Sequence, residues 1–493
     1  MAPEHFDILI VGAGLSGIGA GAHLKRRLPH KTYAILEGRD AIGGTWDLFR
    51  YPGVRSDSDM YTLGYAFKPW TNAQSIAEGP AILDYVKETA REYDVERHIR
   101  FKHKVKRAAW DSQAALWTVE ADHENQIHRF TCSFLLMCAG YYDIEQGYLP
   151  HWEGVDRFNG RVVHPQNWPE DLDYAGKRVV VIGSGATAVT LAPEMAKRAA
   201  HVVMLQRSPT YVVSRPAQDP IANRLKRFLP RHVAYGMTRW KNVLMQSWFY
   251  NLARRKPARV KSHLIHLVQN ELGPDYDVAT HFTPRYDPWD QRLCLVPDSD
   301  LFNAIKLGRA SVVTDQIETF TEHGLKLKSG ADLSADIIVA ATGLNLVILG
   351  GTELAVDGAP VDLATRLTYK GMMFEGVPNL ASVFGYTNAS WTLKADLTCA
   401  YVCRLISYMD ARGLKQVRPR NADPNIPRLP WLDFSSGYIT RAMARFPKQG
   451  AEAPWRVHQN YFRDLRLLRH GRIDDGVLDF SSPRAAADAK AAA

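Results

Sequence analysis

The residues best suited to chemistry in this chain begin with a glycine-rich turn near the N-terminus. An apolar run at residues 6–11 leads into the sequence GAGLSG at 12–17, and a helical pattern follows. Glycine permits a tight turn here and lets backbone amides approach a pyrophosphate at the positive end of the helix. Glu37 ends the next apolar strand, where a carboxylate can accept hydrogen bonds from a ribose diol. The pattern predicts a dinucleotide site; the alternative is a structural turn followed by a surface glutamate. The predicted contacts are Gly12, Gly14, Gly17 and Glu37.

A second glycine turn has the same form but a different ending. An apolar run at residues 178–182 leads into GSGATA at 183–188, and the strand after the following helix ends in Arg207. A carboxylate at that place would favour an unphosphorylated ribose, whereas an arginine can pair with a 2′-phosphate. This turn therefore predicts an NADPH site; the alternative is a surface arginine that touches nothing. The predicted contacts are Gly183, Gly185, Ala188 and Arg207.

Two dinucleotide sites in one chain imply electron transfer between a nicotinamide and a flavin, so we assign FAD to the first turn and NADPH to the second. A dithiol electron acceptor would need a redox-active cysteine pair, but the five cysteines form no CxxC or CxxxxC pattern. They form no zinc-like cluster either, and no metal site is predicted. A sparse, odd set of cysteines indicates a reducing compartment. Since no secretory signal pattern opens the chain and the longest apolar stretch, at 337–349, is too short to span a bilayer, we expect a cytoplasmic protein.

The elements that must position these residues are two strand–turn–helix–strand units. Their strands are near-continuous runs of β-branched and other apolar residues, as expected for parallel strands covered on both faces. The predicted fold class is α/β, with two doubly wound Rossmann-like dinucleotide-binding domains, for FAD and NADPH, and a helical insertion. Two further strand signals, at 134–138 and 336–341, can return the chain between the domains. The second signal ends in Thr342 and Gly343, which we add to the predicted cofactor contacts.

The length of 493 residues and the ordinary balance of 46% hydrophobic and 23% charged residues indicate a soluble globular protein of several domains. The predicted boundaries place the first part of the FAD-binding domain at 1–145, the first part of the NADPH-binding domain at 146–215, a helical insert at 216–282, the second part of the NADPH-binding domain at 283–335, the second part of the FAD-binding domain at 336–480, and a disordered tail at 481–493.

The net charge of +9 has a local source within the insert. Residues 220–270 contain eleven Lys or Arg and no Asp or Glu, with aromatic and aliphatic residues between them. Such a stretch is compatible with a basic amphipathic surface that touches anionic lipid, so the protein is cytoplasmic with a membrane-associated form as one alternative. The other alternative is a solvated helical subdomain whose apolar side packs on the body. Nucleic-acid binding is not predicted, because no recognised module accompanies the charge.

The stretch between the two nucleotide units carries a long pattern, FxGxxxHxxxWP, at residues 158–169. It resembles the fingerprint of Baeyer–Villiger monooxygenases, which are class B flavoprotein monooxygenases; the alternative is a linker with a packing histidine and tryptophan. The fingerprint residues are Phe158, Gly160, His164 and Trp168.

A second signature of that family is present at residues 43–57, GGTWDLFRYPGVRSD, which matches [AG]GxWxxxx[FY]P[GM]xxxD throughout. We take Gly44, Trp46 and Asp57 from it as cofactor contacts. The resemblance covers nearly the whole chain. The runs at 57–64 and 385–396 look like the ethionamide-activating branch of the family.

The resemblance implies a reaction cycle in which NADPH reduces FAD, O2 adds at the flavin 4a position, and the resulting peroxide converts a ketone to an ester or lactone. Sulfide and thioamide S-oxidation use the same oxidant and are the expected side activity. By the same resemblance, Arg292 is the active-site arginine that stabilises the peroxyanion and holds NADP+ over the flavin, and Asp57 is the carboxylate that orients it. A fixed cation in a water-poor site suits this role physically. His164 is expected to couple domain rotation to cofactor position rather than to transfer protons.

Two further residues qualify this picture. Many relatives have Lys before the active-site arginine, where it helps to bind the 2′-phosphate, but this chain has Gln291, so the preference for NADPH over NADH is expected to be weaker than usual. Asn388 precedes a helix predicted from Ser390 to Arg412, whose start can aim backbone amides at a reduced flavin ring.

Two alternative functions stay open on the sequence. An N- and S-oxygenating flavin-containing monooxygenase stabilises a protonated hydroperoxide, and its fingerprint ends in [YF][KR] where this chain has Trp168 and Pro169. A non-catalytic sensor that binds FAD and NADPH is the second alternative. The expected partners are a small ketone or sulfur substrate and O2, and the sequence leaves the oligomeric state open.

Overall fold

The computed structural model describes residues 3–291, 293–432 and 436–483. Within these ranges the strands are β1 Glu4–Val11, β2 Tyr33–Leu36, β3 Ile99–Arg100, β4 Lys104–Asp111, β5 Leu116–His123, β6 Gln126–Met137, β7 Tyr142–Gly147, β8 Arg161–Val163, β9 Arg178–Ile182, β10 His201–Gln206, β11 Val212–Arg215, β12 Cys294–Pro297, β13 Ala310–Thr314, β14 Ile317–Thr321, β15 Gly324–Leu327, β16 Asp332–Ser334, β17 Ile337–Ala340, β18 Leu344–Leu346, β19 Glu353–Val356, β20 Ala359–Pro360, β21 Thr368–Tyr369, β22 Met373–Phe374, β23 Leu380–Ser382, β24 Gln416–Pro419, β25 Leu429–Pro430, β26 Lys448–Gln449 and β27 Leu478–Ser481.

The α-helices in the same ranges are α1 Leu15–Arg27, α2 Thr45–Leu48, α3 Met60–Leu63, α4 Gly79–Glu92, α5 Ala186–Met195, α6 Pro220–Phe228, α7 Arg231–Arg255, α8 Pro257–Leu272, α9 Val278–His281, α10 Asp300–Lys306, α11 Trp391–Asp410, α12 Gly437–Ala442 and α13 Tyr461–Asp464. Short 3-10 helices occupy Glu96–His98, Val155–Arg157, Pro165–Asn167, Ile348–Gly351, Leu363–Thr365 and Met443–Arg445, and a π-helical segment occupies Leu465–His470.

The first domain is built on a sheet in the order β20-β19-β4-β5-β6-β1-β2-β3, with β23 also beside β6. Strands β3, β2, β1, β6 and β23 run parallel, whereas β4, β5 and the first half of β6 form an antiparallel meander. The middle of β1 is buried on both faces, which explains its unbroken apolar sequence. Helix α1 follows β1 directly, and β1-α1-β2 is the first predicted unit.

The second domain contains a fully parallel five-stranded sheet in the order β13-β10-β9-β17-β8. Its second predicted unit is β9-α5-β10. Strand β17 pairs with both β9 and β8, so the prediction that residues from 336 onward return to the first domain is wrong at its boundary. The return comes after Ala340, because β17 completes the second sheet.

Two antiparallel strands join the domains. The chain leaves the first domain through β7 and returns through β18, and these strands pair with Leu344 opposite Gly147 and Leu346 opposite Tyr142. Both crossings therefore form one short ribbon. The ribbon is where a rotation of one domain against the other must bend or slide the backbone.

The helical insert lies across both domains rather than on one. Helix α7 buries one face on the first domain, where the guanidinium of Arg239 donates 2.8 Å hydrogen bonds to the carbonyl oxygens of Tyr61 and Gly64. Helix α8 instead packs on the second domain through Leu264 and Val268. The insert consequently contacts both domains.

Two predicted ends differ from the structure. Helix α11 begins at Trp391 and ends at Asp410, so it is shorter at both ends than the predicted segment. Strand β27 pairs with β24 through Ser481, one residue into the predicted tail, and residues 484–493 of that tail lie outside the described residues. None of the helices that the structure describes is long and apolar enough to cross a membrane.

Candidate functional site

One cavity of about 590 Å³ lies where the two domains face each other. Its walls come from the first glycine turn, the loop at 43–58, the end of β6 with β7, the start of α5, the segment at 344–352 and the start of α11. Of the predicted site residues, it brings together Gly12, Gly14, Glu37, Gly44, Trp46 and Asp57.

The first glycine turn can hold a phosphate because its backbone is tightly closed. A Cβ at Gly17 would lie 1.8 Å from the carbonyl oxygen of Gly12, so only glycine fits there. Helix α1 begins directly after Gly14, and no side chain among the described residues caps its first turn. The free amides at this helix start, which carries no acidic side chain in its first turn, suit an anion in the cavity.

The carboxylate of Glu37 is buried at one end of the cavity. Its two oxygens accept hydrogen bonds from the backbone amides of Ala13, at 2.6 Å, and Arg39, at 2.8 Å. Burial raises the pKa of Glu37, and the two backbone hydrogen bonds oppose that rise. The side chain thus fixes the first glycine turn while its edge lines the cavity.

The loop at 43–58 connects the first domain to the second. The amide of Gly43 donates to the carbonyl oxygen of Ala13 at 3.1 Å, which joins this loop to the first glycine turn. Further along, Tyr51 lies beside Thr187 on α5, and burial raises the pKa of Tyr51 to about 12. The loop therefore contacts both glycine-turn regions at once.

Arg55 is a cavity residue that the sequence analysis did not select. One guanidinium nitrogen pairs with Asp300 of α10 at 2.5 Å, whereas the buried Nη2 has no hydrogen-bond partner among residues 3–291, 293–432 and 436–483. A buried donor without a partner is costly, and a ligand with acceptor oxygens in this cavity can satisfy it. Its position inside the 43–57 signature was the available signal.

The second glycine turn faces the same cavity through the helix that follows it. Gly183 and Gly185 precede α5, Ala188 is buried within α5, and none of these three lines the cavity. Ala186, Thr187 and Thr190 line it instead. No side chain in the described ranges caps the first turn of α5, so its amides, like those of α1, suit an anion.

Arg207 lies immediately after β10, at the carboxyl edge of the second sheet. Its side chain is exposed and does not line the cavity. This is the edge at which open α/β sheets bind nucleotides.

The FxGxxxHxxxWP residues pack in the second domain or lie beside the ribbon between the domains. Phe158 is buried against Phe320, and a Cβ at Gly160 would lie 2.3 Å from the carbonyl oxygen of Asp336. Trp168 packs on the core of the second domain. These residues contribute to packing and do not reach the cavity.

His164 lies against both crossings of the ribbon, and a Cβ at Gly147, the end of β7, would lie 1.9 Å from its Cε1. Its Nε2 lies 3.1 Å from the carbonyl oxygen of Gly343, and its Nδ1 accepts a hydrogen bond from the amide of Gln166 at 3.2 Å. The arrangement fixes a neutral ring with the proton on Nε2. Burial lowers the pKa of His164, which also favours the neutral form. Thr342 adds a second tie by donating to the carbonyl oxygen of Tyr148 at 2.5 Å.

The start of α11 forms the far wall of the cavity. The indole of Trp391 stacks on Tyr141 with ring centroids 5.3 Å apart, and its Nε1 donates to the hydroxyl of Ser16 at 2.7 Å. Asn388 does not line the cavity; its side-chain amide donates to the carbonyl oxygen of Gln459 at 2.9 Å. Thr342 and Gly343 lie outside the cavity lining as well.

Arg292 lies outside the described residues. Its neighbour Gln291 forms an isolated bridge with Pro288, and the thiol of Cys294 lies 3.8 Å from the carbonyl oxygen of Ser184 in the second glycine turn. Cys294, two residues after Arg292 in the sequence, therefore borders the second glycine turn. No group of three His, Cys, Asp or Glu side chains in the described part of the chain is arranged to hold a metal ion.

Comparison with known proteins agrees with this geometry. A family model described as flavin-binding monooxygenase-like matches residues 74–347, and a model of an NAD(P)-binding Rossmann-like domain matches residues 10–75. The FAD-containing monooxygenase EthA of Mycobacterium tuberculosis is 54% identical over 97% of this chain and 98% of its own length. The probable FAD-binding monooxygenase AlmA of Acinetobacter baylyi is 48% identical over 97% of this chain and 96% of its own.

Solved structures share the fold over the same extent. An oxidized steroid monooxygenase bound to NADP superposes with a TM-score of 0.77 at 23% identity, covering 97% of this chain and all of that one. The complex of OTEMO with FAD and NADP gives a TM-score of 0.74 at 20% identity, over 97% of this chain and 99% of that one.

Proposed function

The chain belongs to the flavin-binding monooxygenase-like family, and from that premise we propose that this flavin-dependent monooxygenase converts ketones to esters or lactones with NADPH and O2 as co-substrates. Oxidation of sulfides and thioamides at sulfur is the proposed side activity. One observation carries the proposal: the start of α1 and the start of α5 face a single cavity. A hydride donor and a flavin held by these two helices would share that cavity.

The residues present fit both cofactors. The closed turn at Gly12 and Gly17, the uncapped start of α1 and the buried carboxylate of Glu37 suit the pyrophosphate and ribose of FAD. The uncapped start of α5 and the exposed Arg207 suit NADPH. Reduced FAD, when bound, supplies the reaction with O2 that generates the oxidant.

The cavity walls would keep that chemistry away from water. Trp46, Phe49 and Trp391 are large aromatic side chains in the lining; Phe49 packs on the core of the second domain, whereas Trp46 and Trp391 pack on that of the first. Exclusion of water strengthens electrostatic interactions inside a site and protects a reactive group from protonation. We propose that this part of the cavity holds the flavin ring and the substrate carbonyl.

Charge control is assigned to two residues. Asp57 lines the cavity within the loop that contacts α5, and Cys294, two residues after Arg292, lies against Ser184 in the second glycine turn. We propose that Asp57 orients the guanidinium of Arg292, which stabilises negative charge that develops beside the flavin. Arg55, whose buried Nη2 has no hydrogen-bond partner in the part of the chain that the structure describes, is proposed as a second donor to a cofactor oxygen.

The ribbon residues are assigned to domain movement. Thr342 links the two crossings by its hydrogen bond to Tyr148, and His164 bonds to Gly343 and packs against Gly147, so we propose that a rotation of the domains preserves or breaks these contacts together. We propose a cytoplasmic location on the sequence argument, since all five cysteines are buried thiols.

The test is turnover of a linear ketone and of methyl phenyl sulfide by the FAD-loaded protein at two pH values, one near neutral and one alkaline. We expect ester formation that rises with pH, because a nucleophilic oxidant must be deprotonated. Arg292→Ala should keep reduction of FAD by NADPH and lose ester formation, whereas the exposed Arg285→Ala should behave as the wild type. Thioether turnover without any ester would favour an N- and S-oxygenating enzyme, and NADPH binding without any product would favour a sensor.

A further inference from the structure

The outer surface of the insert is apolar and basic at the same time. Helix α7 buries one face on the first domain, yet the opposite face exposes large apolar side chains at helical spacing over about 22 Å. We call this surface the α6–α7 face. Its apolar members are Ile221, Phe228, Val233, Met237, Trp240, Leu244, Met245 and Trp248. Phe228 and Trp248 are 77% and 65% exposed, respectively.

The basic residues of the insert divide into two groups. Five of the eleven are engaged with the protein body: Lys226, Arg239, Lys241, Arg254 and Lys261 bond to backbone carbonyls or pair with Asp219, Asp290 or Asp396. The other six are exposed, and they lie at the two ends of the apolar stripe. These are Arg224, Arg227 and Arg231 at one end and Arg255, Lys256 and Arg259 at the other.

We propose that the α6–α7 face docks onto the surface of an anionic lipid bilayer. Such a helix places its apolar side chains at the boundary between the lipid headgroups and the acyl chains, and its arginines at the level of the headgroups. Its affinity for the membrane then comes both from the buried apolar area and from the attraction between the arginines and anionic lipids. Tryptophan suits the boundary between lipid and water because its ring is apolar and its N–H is polar. Residues 220–270 contain no Asp or Glu, so no acidic side chain of α6 or α7 opposes a negative surface.

The charge pattern disfavours a second copy of this chain as the occupant. Symmetric association through the α6–α7 face would bring the exposed arginines of two copies together, without a carboxylate from α6 or α7 between them. Like charges at an interface weaken association, whereas phosphate headgroups neutralise the same cations.

Docking in this way would place lipid close to the cavity. Val243, on the buried side of α7, packs with Tyr386, and Tyr386 lines the cavity. A single helix, with a diameter of about 10–12 Å, therefore separates the α6–α7 face from the cavity. Apolar molecules dissolved in the bilayer would have a short route to it. The docking itself does not depend on which reaction the cavity performs.

Flotation of the FAD-loaded protein with lipid vesicles tests the proposal. We expect binding to phosphatidylcholine vesicles that contain about one quarter phosphatidylglycerol, and at least about tenfold weaker binding to pure phosphatidylcholine. Combined replacement Arg224→Glu, Arg227→Glu and Arg231→Glu should weaken binding at least about a hundredfold, since each arginine near the surface contributes about fivefold. Phe228→Ser with Trp248→Ser should weaken it at least about tenfold.

Matched controls come from the second domain and the exposed surface. Lys177→Glu, Lys326→Glu and Lys328→Glu make the same charge change at exposed lysines, and Leu307→Ser removes a side chain that is 66% exposed elsewhere. Both control proteins should bind as the wild type does. Equal losses in the controls and in the α6–α7 variants would overturn the proposal, because net charge alone would then explain binding.

A measurement on the unmodified protein makes the test independent of any variant. Vesicles whose acyl chains carry bromine quench the fluorescence of tryptophan that enters the bilayer, so we expect quenching on anionic vesicles but none in solution. The proposal is overturned if anionic vesicles fail to bind the wild type, or if the wild type instead forms dimers that Phe228→Ser with Trp248→Ser separates.

Discussion

Gly53 offers a direct perturbation of the contact between the two domains. Its φ is +74°, and a Cβ built on it lies 3.0 Å from both Cβ and Cγ of Glu194 on α5. Alanine in this left-handed conformation costs about 1–2 kcal/mol. A carbon–carbon approach well below the usual ~3.5–4.0 Å adds about 1–3 kcal/mol of overpacking. We expect Gly53→Ala to destabilise the packing of the loop at 43–58 on α5 by about 2–5 kcal/mol, because the loop must move away from this helix.

Gly176→Ala is the matched control for Gly53→Ala. Gly176 has a φ of +65°, and no atom of the described residues lies within 4 Å of its added Cβ, so only the backbone strain is shared. The assay is anaerobic reduction of bound FAD by NADPH, followed by flavin absorbance. Gly53→Ala should reduce its flavin at least about tenfold more slowly, since small misplacements of reacting groups are costly. The control should reduce it at the wild-type rate. A wild-type rate in Gly53→Ala with FAD fully bound would refute the reasoning.

Three further predictions follow from single side chains. Arg207→Gln should raise the KM for NADPH about tenfold or more, because the 2′-phosphate loses its charged partner. The KM for NADH, which has no 2′-phosphate, should stay unchanged. An equal change in both KM values would contradict this. Glu37→Gln should weaken FAD binding about tenfold, because an amide cannot accept from both backbone N–H groups as the carboxylate does, and an unchanged Kd would speak against that role. Burial lowers the pKa of His164, so below a pH of about 6.5 the unfolded chain binds a proton at this residue that the folded protein does not bind, and the free energy of unfolding decreases as the pH decreases. The melting temperature of His164→Gln should therefore decrease less than that of the wild type between neutral and mildly acidic pH. Parallel curves of melting temperature against pH would exclude this.

The two βαβ units could be predicted because their signals are local. The apolar strands, the glycine turns and the helices after them occur within about thirty residues each, and β1-α1-β2 and β9-α5-β10 lie where the sequence placed them. The family resemblance, drawn from the signatures at 43–57 and 158–169, is confirmed by the matching family model and by the curated relatives. The roles of the individual residues in those signatures stay predictions.

Sheet membership was less predictable because it depends on distant pairing. Strand β17 has the same apolar pattern as any central strand, and nothing in its own residues distinguishes a place beside β9 from one beside β6. The packing of α7 on the first domain could not be predicted for a similar reason. In the sequence, Arg239 is one of many basic residues in a stretch that would be expected on the surface. In the structure, its guanidinium is buried and donates hydrogen bonds to the backbone carbonyl oxygens of Tyr61 in α3 and of Gly64, which follows α3.

Arg55 shows how a site residue can be passed over even when it lies within a recognised signature. Arg55 lies inside a signature whose fixed positions are glycine, tryptophan, proline and aspartate. The signature allows any residue at position 55, so it does not single out Arg55. Only the three-dimensional arrangement brings it against Asp300 and leaves its second nitrogen buried in the cavity wall. A residue of this kind is recognised by an unsatisfied donor and not by spacing.

The fate of labelled oxygen tests the central claim most directly. The FAD-loaded protein would be supplied with NADPH, a ketone and isotopically labelled O2, and the products analysed by mass spectrometry against the amount of NADPH consumed. We predict an ester that carries one labelled oxygen atom, formed in step with NADPH oxidation. Oxidation of NADPH that yields hydrogen peroxide alone, with no labelled product from any ketone or sulfide, would contradict the assignment of a monooxygenase site to the shared cavity.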